Sequence, residues 1–237
     1  GRANHVGHEA EALARSIERG FFDVTRGVYA DALVEGELSE QVSQQINALA
    51  ILTGVCPPER RERVLETILS DDPDLCRCSP YFWVYLFEAM GMAGMQERML
   101  EAIRAHWGAM ARAGATTWWE TFGGDELDSL CHPWSCAPGS VLQKHLLGAR
   151  PAAPGFARVT IAPRPDLVAE ASGTVQTVRG EIAVGWQAVD GGAEVTVRLP
   201  GEIAATVQPP PGWRADDAEG GIEVPAGASA KVHFAPR

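Results

Sequence analysis

The sequence lacks the features that mark membrane-embedded and exported proteins. No apolar run approaches the roughly 20 residues that a membrane-spanning helix needs, and residues 1–5 provide neither an initiator methionine nor a hydrophobic signal core. We therefore expect no membrane partner, and a chain whose first residue lies inside a longer protein. The cysteine count of 5 is odd and fits a reducing compartment, so the cytoplasm is favoured, while export with some thiols unpaired stays open.

Cysteine and histidine patterns typical of metal sites are also missing. The cysteines show no paired CxxC spacing, and no run of histidines is placed to complete a zinc site. We expect free thiols, no metal and no other cofactor. The cysteines concerned are Cys56, Cys76, Cys78, Cys131 and Cys136.

Positive charge is the scarcer sign. The chain has 20 Lys and Arg against 31 Asp and Glu, which gives a net charge of -11. The basic residues are scattered among acids, so the sequence has no electropositive stripe of the kind that binds phosphate backbones. Nucleic acid is therefore not an expected partner.

The hydrophobic pattern changes once along the chain. Up to about residue 147 apolar residues recur at helical spacing, whereas from about residue 159 they alternate with a period of two. The segment 148–155 between these parts contains two prolines and two glycines, which do not continue a helix. We expect one domain over residues 1–150 and a second over residues 151–237.

Six helices are predicted in the first domain. Ser39 is the expected N-cap of the second helix, and Ser79 with Pro80 begins the fourth. The fourth is apolar on every side over residues 81–87, so we expect it to be enclosed. The six cover, approximately, residues 9–18, 42–53, 57–69, 79–87, 99–110 and 138–147.

Short strands and turns fill the second domain, and this pattern predicts an antiparallel β-sandwich. Asp190, Gly191 and Gly192 form an evident hairpin turn. The domain has no cluster of acids, histidines or nucleophiles, which favours a packing role, while sugar stacking by Trp186 or Trp213 stays an alternative. The predicted strands are residues 159–161, 174–178, 181–186, 193–199, 203–207, 222–224 and 231–234.

The loop over residues 114–135 holds the densest set of functional residue types. Glu120 is flanked by Trp119 and Phe122. This combination suits sugar hydrolysis, because aromatic faces stack on the C–H side of a pyranose while an acid transfers protons. The alternative is a surface acid beside tryptophans of the core.

Other polar residues of this loop have simpler interpretations. Asp125, Glu126 and Asp128 are expected to be a solvated charge run or helix-start acids. A histidine such as His132 is, by default, hydrogen-bonded and structural.

Several segments resemble, in the expected order, landmarks of the inverting bacterial α-L-rhamnosidase family. The resemblance implies a barrel of six helical hairpins, of which this chain supplies half, followed by an antiparallel β-sandwich. The matching segments are 43–50 (SQQINALA), 79–83 (SPYFW), 116–122 (TTWWETF), 129–138 (SLCHPWSCAP), 146–151 (LLGARP), 154–156 (PGF), 173–175 (GTV) and 180–186 (GEIAVGW).

The same resemblance implies a function and a site. Glu120 matches the general base of an inverting hydrolase that removes terminal α-L-rhamnosyl residues, and the general acid lies on an N-terminal part absent from this chain. His132 matches a histidine near the sugar, with Trp119, Trp134 and Tyr81 as the aromatic wall. The implied partners are a rhamnose-containing glycoside or oligosaccharide and the missing N-terminal part of the same enzyme.

Two alternatives remain open on the sequence. The first alternative is a non-catalytic carbohydrate-binding or scaffold fragment. The second is part of a helical-barrel glycosidase with a different sugar specificity.

Overall fold

The computed structural model describes residues 2–124, 128–215 and 220–237, and the side chains from residue 5 onward. The chain divides into two compact units, Gly1–Pro138 and Gly139–Arg237. Residues 139–150, which the sequence pattern assigned to the first domain, group with the second unit. Each unit is described separately below.

Helices dominate the first unit, and all six predicted helices are present in the described part of the chain. A 3₁₀ turn at Pro58–Arg60 leads into the third helix, and a π-helical turn at Leu142–Leu146 continues the last one. The helices are α1 (Arg2–Phe21), α2 (Gln44–Leu52), α3 (Arg61–Ile68), α4 (Trp83–Met92), α5 (Gln96–Arg112) and α6 (Ala137–Val141).

The first unit also contains two-residue strands that the sequence pattern did not predict, because two residues are too short to show alternation. The first two pairs are antiparallel hairpins and the third pair is parallel. In chain order these pairs are β1 (Phe22–Asp23) with β2 (Val28–Tyr29), β3 (Leu33–Val34) with β4 (Glu37–Leu38), and β5 (Val42–Ser43) with β6 (Leu75–Cys76).

The N-cap of α2 is Ser43, so the prediction of Ser39 was wrong. The Ser43 hydroxyl oxygen accepts a hydrogen bond from the backbone N–H of Ile46 at 3.2 Å. Asp31 explains the later start: its carboxylate accepts from both the backbone N–H and the hydroxyl of Ser43, each at 2.8 Å. These bonds hold the backbone at Ser43 extended, at φ -111° and ψ 150°.

Helix α4 is buried on one face rather than enclosed. Trp83, Leu86 and Phe87 lie in the core of the unit, where α4 packs against α2, α3 and α5. Tyr85 and Met92, however, are 38% and 46% exposed. The expectation of full enclosure was therefore wrong for this chain, because all-round apolarity predicts covered faces but does not say which polypeptide covers them.

The second unit contains two sheets, preceded by the end of α6 and the π-helical turn. The strands are β7 (Ala149–Pro151), β8 (Arg158–Ile161), β9 (Glu170–Thr177), β10 (Gly180–Val189), β11 (Gly192–Arg198), β12 (Ala204–Val207), β13 (Trp213–Ala215), β14 (Ile222–Val224) and β15 (Ser229–Pro236). One sheet has the order β13-β15-β11-β10-β9 and is antiparallel throughout, and the other has the order β14-β12-β8-β7.

Sequence-based expectations for this unit were largely but not fully correct. The predicted hairpin turn is confirmed, since Val189 pairs with Gly192. Strands β8 and β12 pair in parallel, so the expectation of a purely antiparallel arrangement was wrong. Strand β7 lies within the predicted linker, and it is an edge strand, where Pro151 removes no hydrogen bond needed by a central strand.

One cluster of buried residues contains side chains from both sheets, including Ile161 of β8 and Phe234 of β15. Trp186 belongs to this core, is 4% exposed, and donates its indole N–H to the carbonyl of Val168 at 2.9 Å. Sugar stacking by Trp186 is therefore wrong, because its ring faces are covered by protein. Trp213 is half-buried.

Among the described residues, no helix has both the length and the apolar character required to span a bilayer.

Candidate carbohydrate site

The loop between α5 and α6 folds back on itself. Its first arm (residues 117–122) and its second arm (residues 128–135) are joined by backbone hydrogen bonds. The N–H of Glu120 donates to the carbonyl of Ser129 at 2.9 Å, and the N–H of His132 donates to the carbonyl of Trp118 at 2.7 Å. The two arms thus bring Glu120 and His132 onto one short ladder.

The side chain of Glu120 is exposed, and its carboxylate is held by the second arm of the loop. Its Oε2 accepts a hydrogen bond from the backbone N–H of Ser129 at 3.1 Å. One carboxylate oxygen is therefore fixed by the protein, while the group as a whole faces solvent. A carboxylate in this state can accept a proton from water.

Asp128 reinforces the same ladder. Its carboxylate accepts a hydrogen bond from the hydroxyl of Thr121 on the first arm. The expectation of a solvated acid or a helix-start acid was therefore wrong for Asp128, which joins the two arms. Asp125 and Glu126 lie outside the described residues.

Three of the predicted site residues form a row of rings. Tyr81 and Trp134 have ring centroids 5.7 Å apart, and His132 lies 5.8 Å from Trp134. Trp134 is 69% and Tyr81 42% exposed. This row presents an aromatic surface of the kind that stacks on the apolar face of a sugar.

Tyr85 of α4 extends the row and was missed in the sequence, although its spacing of four residues from Tyr81, which lies just before α4, corresponded to one face of the predicted helix over residues 79–87. The two rings are 6.4 Å apart and meet edge to face. A hydrogen bond with Tyr85 is the main cause that raises the pKa of the Tyr81 phenol, followed by charge interaction between them.

Trp119 lies elsewhere in the loop. Its half-buried ring covers Gly124, where an added Cβ would come within 2.6 Å of the ring at a backbone φ of +63°. The described ring contacts do not join Trp119 to Trp134 or Tyr81. The structure therefore brings together three of the four predicted sugar-binding residues.

An aromatic cluster of the helical core packs against Phe122 of the first arm. Phe122 stacks on His106 with centroids 4.5 Å apart and meets Trp107 and Trp83 edge to face at 5.2 and 6.3 Å. Burial, and secondarily the charge of Arg77, lowers the pKa of His106, which favours the neutral ring in this stack.

Trp107 lies within the helix predicted over residues 99–110 and is buried in the core of the first unit. Its indole N–H also donates to the carbonyl of Ser135 at 2.8 Å. Trp107 thereby contacts both arms of the loop, a role that helical periodicity alone does not reveal.

The described residues contain no group of three or more His, Cys, Asp or Glu arranged to hold a metal ion. The five cysteines are unpaired, with Cys56 and Cys78 buried. Burial raises the pKa of the Cys78 thiol to about 12, which makes it unreactive at neutral pH.

An exposed carboxylate held by a hydrogen bond, on the loop that also carries His132 and Trp134, suits a protein that acts on carbohydrates. Comparison with known families agrees with this class. The model of the bacterial alpha-L-rhamnosidase 6 hairpin glycosidase domain matches residues 3–146, and that of the bacterial alpha-L-rhamnosidase C-terminal domain matches residues 148–220. The chain belongs to the bacterial α-L-rhamnosidase family, which confirms the resemblance noted in the sequence.

Individual relatives are much longer than this chain. An alpha-L-rhamnosidase of Alteromonas sp. (strain LOR) is 31% identical over an alignment of 107 residues, with a coverage of 41% of this chain and 12% of the relative. The crystal structure of a GH78 family rhamnosidase of Bacillus sp. GL1 superposes with a TM-score of 0.80 at 32% identity, covering 88% of this chain and 23% of that one.

A more distant structure shows the same fold. The α-L-rhamnosidase of Streptomyces avermitilis, solved in complex with L-rhamnose, matches with a TM-score of 0.67 at 19% identity, covering 95% of this chain and 23% of that one. The chain thus spans a quarter or less of the length of these three relatives.

Proposed function

We propose that this chain is part of an inverting glycoside hydrolase that removes terminal α-L-rhamnosyl residues, with Glu120 as the general base. The observation that carries the proposal is the Glu120 carboxylate, exposed yet held by the Ser129 amide on the ladder shared with His132. Inversion requires a second carboxyl group about 6.5–9.5 Å away, with a water between base and sugar. The general acid is supplied by sequence outside this chain.

The surrounding residues bind the sugar in this proposal. His132 donates a hydrogen bond to a hydroxyl, and Trp134 with Tyr81 forms the wall against which the pyranose stacks. Trp119 shapes the loop from its position over Gly124. The relative from Streptomyces avermitilis, solved with L-rhamnose, supports this choice of sugar.

The same proposal includes the architecture. The six described helices supply three hairpins of a six-hairpin barrel, and the two sheets around one core form a β-sandwich. The two family models change over between residues 146 and 148, which supports a domain boundary near residue 150.

The test is Glu120→Gln in the intact enzyme. Removing a general base lowers kcat by about a hundred-fold or more, because amide nitrogen and oxygen do not take a proton from water. Glu97→Gln is the matched control, since Glu97 is an exposed acid in the first turn of α5, at the opposite end of that helix from the loop. Turnover of Glu120→Gln within a few-fold of the parent enzyme would rule Glu120 out as the base.

A second candidate function is carbohydrate binding without catalysis, and the exposed row of Tyr81, His132 and Trp134 favours it because the row is complete within this chain. Titration of the isolated chain with L-rhamnose in a calorimeter measures this directly. Binding by the chain, combined with full activity of Glu120→Gln, would favour the binding function over the catalytic one.

A further inference from the structure

Backbone bonds join the two arms of the loop to each other, and at the start of the loop the N–H of Ala115 donates to the carbonyl of Met110 of α5 at 3.0 Å. The arms themselves are attached to the helical core by side chains that reach from the core to each arm. On the first arm, Phe122 lies two residues after Glu120 and stacks on His106 of α5. On the second arm, Ser135 lies three residues after His132, and its N–H donates to the carbonyl of His132 at 3.0 Å.

Trp107 contacts both attachment points. Its ring meets Phe122 edge to face at 5.2 Å, and its N–H donates to the carbonyl of Ser135 at 2.8 Å. Trp107 is 2% and Ser135 0% exposed, so the hydrogen bond is shielded from water and its loss leaves a buried carbonyl without this donor. One rigid side chain of α5 thus fixes the arm of Glu120 and the arm of His132.

We propose that Trp107 and Phe122 are positioning residues for the reaction. Trp107, through Ser135, sets the position of the sugar-binding His132. Phe122, through the stack on His106, sets the position of the Glu120 carboxylate. This inference rests on the proposed function. It assigns Trp107 to substrate binding, through His132, and Phe122 to proton transfer, through Glu120.

The first experiment is Trp107→Phe in the intact enzyme, which keeps an aromatic ring at this position but removes the indole N–H together with part of the bicyclic ring. Because the bond to Ser135 is lost, the second arm loosens and KM for an aryl α-L-rhamnoside rises about ten-fold, while kcat changes by less than three-fold. Trp186→Phe is the matched control. It removes an equally buried indole donor to a backbone carbonyl, in the second unit, and leaves KM unchanged while lowering thermal stability as Trp107→Phe does.

The second experiment is Phe122→Leu, which removes the stack on His106. We expect kcat to fall about 10- to 100-fold with a smaller change in KM, because displacing a catalytic group by about 1 Å has effects of this size. Phe234→Leu is the control: it shortens a fully buried phenylalanine in the second unit and leaves kcat unchanged.

Three results would overturn the inference. The first is unchanged kcat and KM in Trp107→Phe and Phe122→Leu. The second is the same change of kcat or KM in the control variants. The third is a fall in kcat together with a rise in KM that follows the loss of thermal stability alone. Glu120→Gln separates this failure from failure of the proposed function. If Glu120→Gln is inactive while Trp107→Phe and Phe122→Leu have the kcat and KM of the parent enzyme, Glu120 remains the proposed base and the positioning roles are rejected.

Discussion

Gly148 shows how a single residue constrains the second unit. Its backbone φ is +76°, and an added Cβ would lie 2.0 Å from the carbonyl oxygen of Ala162. The N–H of Ala162 donates to the carbonyl of Gly148 at 3.1 Å, so the two backbones cannot separate without losing this bond. Only glycine fits this close approach between the start of β7 and the end of β8.

We therefore expect Gly148→Ala to lower the free energy of unfolding of this chain by more than about 3 kcal/mol, as a backbone clash adds to the left-handed conformation. Gly191→Ala is the control, because Gly191 has a φ of +79° with open space around its Cβ position. That variant loses only about 1–2 kcal/mol. Urea unfolding measures both, and equal losses would show that the contact with Ala162 relaxes.

The N-cap of α2 links this helix to the strand before it. Ser43 ends β5, accepts from the N–H of Ile46 and is itself held by Asp31. A helix beginning without such a cap leaves amide groups unpaired. The cap therefore couples the start of α2 to the strand before it.

Ser43→Ala is expected to destabilise the chain by about 1–2 kcal/mol, because the cap bond is lost. Ser39→Ala is the comparison, since the Ser39 hydroxyl oxygen accepts only within a local turn, from the N–H of Gln41 at 3.0 Å. We expect a change within about 0.5 kcal/mol there. Thermal unfolding of the two variants measures both losses of stability. A larger loss in Ser39→Ala would indicate that Ser39, as expected from the sequence, is the N-cap of α2.

At the scale of the whole molecule, the chain spans only part of its relatives, and the proposed reaction needs a carboxyl group beyond it. In that proposal Glu120 orients water, and a second carboxyl group protonates the leaving oxygen. Met92 at the end of α4 is exposed, which fits the same proposal, because the remaining hairpins of the barrel would cover it.

The isolated chain is therefore expected to release no product from an aryl α-L-rhamnoside. The intact enzyme, assayed at the same molar concentration, serves as the positive control. A chromogenic assay extended over hours detects residual turnover, and hydrolysis by the isolated chain would mean that both carboxyl groups lie within it.

Much of the fold was accessible from local pattern. The six helices and the β10–β11 hairpin follow from spacing and turn residues, because both are determined by neighbours in the sequence. The start of α2, the strand at Ala149–Pro151 and the parallel pairing of β8 with β12 did not follow. Each depends on a partner distant in the sequence, such as Asp31 for Ser43.

For the site, the sequence determined which residue types are present and their order along the loop, and motif resemblance gave the family. Only the tertiary structure decided which of them meet: Tyr81 of the segment before α4 reaches Trp134, Trp119 turns to Gly124, and Trp107 holds both arms. The physical reason is that these contacts join residues about 15 or more positions apart or depend on the conformation of one glycine. Periodicity along the chain carries no information about either.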